Sequence, residues 1–117
     1  MATEICRRYH AEFTDEEERY GPAGRAWCLH DNQYLLAWAV QDARDGTVDM
    51  VEQALWLAEV LDRRGFPVAR LARDLEIAAE VVREAIADEE LARNVHLRLT
   101  AAATAVLATT TADRVPR

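Results

Sequence analysis

The amino-acid sequence predicts an all-α protein, an up-and-down bundle of four long helices with a short N-terminal helical segment. Apolar residues recur at helical spacing through most of the 117 residues. Caps and breakers cut that pattern into lengths suited to helices, and no stretch alternates like a strand or repeats. Connections of two to four residues favour antiparallel neighbours, hence up-and-down topology. Residues 1–108 read as one helical-bundle domain and 109–117 as a flexible C-terminal tail.

Each element has its own signal. Thr14 followed by Glu17 fits a capping box, and the acids from Asp15 to Glu18 suit the positive end of a helix dipole. The segment Thr3–Tyr20 is expected to lie across one end of the bundle. Gly21, Pro22 and Gly24 break the chain, and Pro22 suits a first helical turn. The next helix runs to Asp45, where Asp45-Gly46-Thr47 closes it and caps its successor. A third helix ends near Arg63-Arg64-Gly65, with Pro67 as a stop. From Pro67 to about Ala87, the apolar set Val68, Leu71, Leu75, Ala78, Val82 and Ala85 marks a regular amphipathic helix. Asp88 can cap the last helix, whose buried stripe is Leu91, Val95, Leu99, Ala102 and Val106.

The helix from Pro22 to Asp45 carries two apolar faces. Cys28, Leu29, Leu35, Leu36, Ala39 and Val40 fill one sector, and Trp27, Tyr34 and Trp38 form a separate aromatic stripe. An ordinary surface helix needs one buried stripe. Two imply a central helix, a second core layer under Thr3–Tyr20, or a surface for a partner or ligand. In the third helix Met50, Val51, Ala54, Leu55, Leu57, Ala58 and Leu61 define the buried sector. Trp56 projects among Asp49, Glu52, Glu59 and Arg63, either covered by a neighbour or available as an interface anchor.

Composition narrows the classes. Half the residues are hydrophobic, which excludes wholesale disorder. A net charge of −7 argues against a phosphate-binding surface and so against nucleic acid. All fourteen basic residues are Arg, consistent with a GC-rich coding sequence. No apolar run approaches a membrane span and no signal peptide is visible, so a cytoplasmic location is the default. Two cysteines do not make a disulfide scaffold.

Chemistry-bearing arrangements are few. Cys6 and His10 lie four apart on one helical face, as metal ligands on helices do, whereas Cys28 and His30 diverge by about 160° if helical. A metal site would need Cys6, His10, one of Cys28 and His30, and another ligand such as Glu4 or His96; a Cys6–His10 nucleophile is allowed by spacing, but no third group to orient it is identifiable. The paired acids at Asp15–Glu18 and Asp88–Glu90 read as solvated helix starts, and no glycine-rich phosphate loop is present.

His30 followed by Tyr34-Leu35, then Leu57 and Leu61, the Arg64-Gly65-Phe66-Pro67 turn, and then Leu71 and Leu75 form a further pattern over Cys28 to Val82. It resembles the helical-bundle module that precedes cobalamin-binding domains in bacterial sensory proteins. The resemblance implies an all-α sensory or regulatory module. The departures are specific: no Asp-x-His-x-x-Gly motif is present, and no Glu-His pair lies ten residues after Trp27, Trp38 or Trp56, where Ala37-Trp38, Val48-Asp49 and Phe66-Pro67 stand instead. No cobalamin-contacting residue is therefore carried over, and the cofactor stays open.

Three functional expectations follow. The first is a non-enzymatic regulatory or adaptor module that self-associates into a homo-oligomer or binds a protein through Trp56 and the Trp27/Tyr34/Trp38 stripe. The second is a small-ligand or cofactor sensor with an aromatic pocket lined by Trp27, His30, Tyr34 and Trp38. The third is a small metalloprotein or enzyme using Cys6, His10, Cys28 or His30.

Overall fold

The computed structural model describes residues 1–114, with side chains through residue 110. Five helices follow one another: α1 (Ala2–Glu12), α2 (Asp15–Asp45), α3 (Met50–Arg63), α4 (Val68–Ala85) and α5 (Glu89–Arg114). The protein is an all-α bundle, with no strand among the described residues. Its least dimension is 20 Å, about two helix diameters, so the helices form two layers.

The most deeply buried helix is α4, not the two-faced α2. It packs against α1, α3 and α5, with the most extensive contact on α5. Its expected stripe is too narrow: Asp74, Ile77, Ala79 and Val81 are buried beside Leu71, Leu75, Ala78 and Val82, while Ala85 is exposed. Alanines at 72, 78 and 79 explain this, because small side chains let neighbours close on more than one side. Helix α5 buries Val95, Leu99, Ala102 and Val106 as expected, together with Ala92 and Ala103. It continues to Arg114 rather than ending near Ala108; of the expected tail, residues 115–117 lie outside the described residues.

Most boundaries follow their chemistry. Asp49, in an extended conformation, caps α3 by accepting from the Glu52 N–H at 3.1 Å. Asp88 does the same for Leu91 at 3.0 Å. Thr47 instead bonds back to Asp45, so it closes α2 and does not cap α3. The expected capping box at Thr14 is absent: Thr14 is already helical (φ −66°, ψ −23°), and an N-cap requires extended backbone to aim its oxygen at the first free N–H groups.

The N-terminal region also departs from expectation. In place of one short helix over Thr3–Tyr20 there are two pieces, α1 and the first turns of α2. Gly21, at φ 57° and ψ −143°, kinks α2 just before Pro22. That conformation is open to glycine and strained for any residue with a Cβ. Helix α1 lies along α2 and α4, burying Ile5, Cys6 and Tyr9. It does not cover the Trp27/Tyr34/Trp38 stripe. Both flanks of the α2 kink face one opening, where the cavity lies.

Candidate functional site

The kink at Gly21 sets Tyr20 on one side of an opening and Trp27 on the other. Their rings are 6.5 Å apart, and Tyr20 is also 6.5 Å from Phe66 in the α3–α4 turn. Gly24 allows the Tyr20 side chain to lie against the helix, since a Cβ there would stand 2.4 Å from Tyr20 Cβ. These three rings form the rim of a cavity of about 560 Å³, within the size range of small-molecule sites. Leu35, Leu61 and Leu71 give it apolar walls.

The floor is polar. Asp74 of α4 and Asn32 of α2 are both buried and line the cavity. Asn32 Nδ2 donates to Asp74 Oδ1 at 3.1 Å and to the Cys28 carbonyl at 3.0 Å. The Cys28 and Cys6 sulfurs lie 3.4 and 3.6 Å from the same nitrogen. Two N–H protons serve the two oxygens, which leaves the thiols to each other. Asn32 Oδ1 is buried and has no hydrogen-bond partner, an unusual state for an amide oxygen in a folded protein.

Burial controls the protonation of this floor. The Asp74 carboxyl is pushed up to about 7, chiefly by removal from water and further by the charges of Asp31 and Glu16, against the opposing hydrogen bond from Asn32. Asp31, half-buried at the cavity wall, is also raised by desolvation. The two thiols share a hydrogen bond. The Cys28 thiol is pushed up by its hydrogen bond to Cys6 and by burial, and the same bond lowers Cys6. The pair holds at most one negative charge.

A second polar group closes the inner side. Arg70 of α4 donates to Glu16 at 2.8 Å, pairs with Asp15 at 3.1 Å, and stacks over the Phe13 ring at 4.5 Å. The Tyr9 hydroxyl donates to the same Glu16 carboxylate. Glu16 is thus buried, which corrects the expectation that Asp15–Glu18 is a solvated helix start. Burial and the adjacent Glu16 raise the Tyr9 phenol, while Arg70 holds Asp15 below the usual carboxylate range.

No family model matches the chain, and neither a curated protein nor a solved structure does. The site is therefore read from its own geometry.

Of the expected site residues, Trp27 and His30 line the cavity, and Tyr34 and Trp38 do not. The pocket is thus not built from all four. His30, Tyr34 and Trp38 instead form a ladder along the outside of α2, with centroids 4.9 and 5.9 Å apart. Trp27 is 62% exposed and Tyr34 51%, so the stripe is no second core layer; Trp38 alone packs partly on the core. Trp56, 56% exposed, sits on α3 as its spacing indicates and lines no part of this cavity.

Cys6, His10, Cys28 and His30 do not converge. Cys6 and Cys28 meet at Asn32 as free thiols, His10 is edge-on to Tyr9 with both ring nitrogens unpartnered, and His30 faces Asp31 at 3.6 Å. Among the described residues no group of three or more His, Cys, Asp or Glu is disposed to hold a metal.

Asn32, Asp74, Glu16 and Arg70 are absent from the sequence-derived candidates. Two of them carry a readable signal. Asn32 falls at i+4 from Cys28 and Asp74 at i+3 from Leu71, each inside an apolar stripe where a polar side chain must be buried.

Proposed function

We propose that this protein is a non-enzymatic small-molecule-binding module whose ligand enters between Tyr20, Trp27 and Phe66 and reaches Asn32 and Asp74. One observation carries the reading: a buried carboxyl and a buried amide with an unpartnered oxygen form the floor of an aromatic-rimmed cavity of about 560 Å³. A carboxyl taken out of water costs stability unless it is paired, and perturbed titratable groups in clefts mark functional sites. No helix among the described residues is long and apolar enough to cross a membrane.

The resemblance to sensory modules that precede cobalamin-binding domains supports a regulatory setting. In that setting ligand occupancy would be felt by α2, because the cavity spans the α2 kink and the α3–α4 turn. The test is a thermal-shift screen of amphiphilic small molecules, cobalamin included, followed by NMR. A true ligand raises the melting temperature and shifts the Trp27 indole and Asn32 side-chain amide signals. Hits that shift only Trp56, or that act equally on Trp27→Ala, would sink the reading.

A second reading, docking of a protein or another copy through α3, rests on Trp56 standing exposed on its charged face. Light scattering of wild type against Trp56→Ala decides it. An association that persists unchanged in the variant removes it.

A further inference from the structure

We propose that the cavity takes an organic cation, a flat apolar body bearing an amidinium, guanidinium or protonated amine whose N–H groups meet Asn32 and Asp74. This rests on reading the cavity as a small-molecule site and adds the chemical class of its occupant.

The hydrogen-bonding capacity left at the floor is that of an acceptor. Asn32, only 1% exposed, has no donor to its Oδ1. Asp74 receives one hydrogen bond, from Asn32, to one of its two oxygens. The strong donors nearby are engaged elsewhere, Arg70 with Asp15 and Glu16 and the Tyr9 hydroxyl with Glu16, which leaves only the weakly donating thiols. A neutral ligand without N–H groups would cover Asp74 and leave both acceptors unpaired. An anionic ligand would meet the carboxyls of Asp31 and Asp74. A cation with several N–H donors satisfies both free acceptors and compensates the buried charge.

The rim matches the same class. Indole and phenol faces attract cations and stack on flat rings, and the Tyr20 and Trp27 rings stand 6.5 Å apart at the entrance. Charge also decides against self-occupancy. Arg64 at the cavity edge bears on Asp31, and among the described residues no ion pair brings a guanidinium to Asp74.

Cation binding favours ionised Asp74, so affinity rises with pH through the range where that carboxyl titrates. The groups facing it are Cys6 and Tyr9 from α1, Glu16, Cys28 and Asp31 from α2, and Arg70 on α4 itself. Of these Arg70 is the only cation, and it is held by Asp15 and Glu16.

The experiment is calorimetric titration at about pH 8 with three near-isosteric probes: naphthalene-2-carboxamidine, naphthalene-2-carboxamide and naphthalene-2-carboxylate. The expected order is amidine tighter than amide by about tenfold or more, with the carboxylate weakest. Asp74→Asn, checked for fold by circular dichroism, brings the amidine down to the level of the amide, and Trp27→Ala weakens both. Repeating the wild-type series at about pH 5 narrows the gap between amidine and amide. Equal binding of all three, lost in Trp27→Ala, would overturn the cation class while leaving the small-molecule site standing. No heat from any probe at millimolar concentration overturns the class and removes support from the site as well. The wild-type order alone is decisive if Asp74→Asn fails to fold.

Discussion

Helix α4 has two contrasting neighbourhoods. Against α5 it meets a stripe of Ala92, Val95, Leu99, Ala102, Ala103 and Val106, all buried and none ionisable. Toward α1 and α2 the same helix presents Arg70 and Asp74 to a cavity, beside buried Glu16 and Asn32. The first side gains from dense apolar packing. The second forgoes that gain, and a Leu at position 74 would satisfy packing better than a carboxyl does. The contrast separates what holds the bundle together from what the bundle can be used for.

The packed side should show the larger loss of stability on substitution. Leu99→Ala, which empties a fully buried position on α5, should cost about 2–5 kcal/mol in urea unfolding. A loss under about 1 kcal/mol would mean the α4–α5 seam is not the stabilising half. A smaller effect belongs to the polar side. Arg70→Ala strands buried Glu16 with only the Tyr9 hydroxyl, and should cost about 2 kcal/mol near neutral pH. The smallest effect falls at the rim. Trp27→Ala should change stability by no more than about 0.5 kcal/mol, as for exposed positions generally. A larger loss in chemical denaturation would show that Trp27 is a structural cover for the cavity.

The same division explains what could be read in the sequence. The three C-terminal helices, the Asp88 cap, the break at Gly21 and the α5 stripe rest on local chemistry, and local chemistry is visible in a chain; the Asp49 cap was missed because Thr47 stood two residues earlier with an equally suitable side chain. Helical phase sets Trp27, Tyr34 and Trp56 apart from the buried sectors, but whether another segment covers them is a long-range matter that phase does not decide. The site was less legible, for two reasons. Asn32 and Asp74 signal themselves only as polar intrusions in apolar stripes, and such intrusions gain meaning once two of them, 42 residues apart, face each other. Glu16 has no signal at all. It looks like one of four acids at a helix start, and only the return of α1 along α2 buries it under Tyr9 and Arg70. The deep burial of α4 was hidden likewise, since alanines at 72, 78 and 79 read as neutral until neighbours close on them.

Asp74 is kept at a cost to the fold. Its carboxyl is neutral in the folded protein up to about pH 7 but ionises near the ordinary Asp range when unfolded. Its neutral form therefore favours the folded state fully at low pH. That advantage is lost as pH rises from about 4 to about 7, after which the loss levels off. Carboxylates such as Asp15, held low by Arg70, act in the opposite sense and at lower pH. The direct test is equilibrium unfolding of wild type and Asp74→Asn across this range. The difference should grow in favour of the variant, reaching on the order of 4 kcal/mol at most by about pH 8. Two curves that run parallel from about pH 4 to 8 would contradict the claim, because a carboxyl that titrates alike in both states carries no cost for a ligand to relieve.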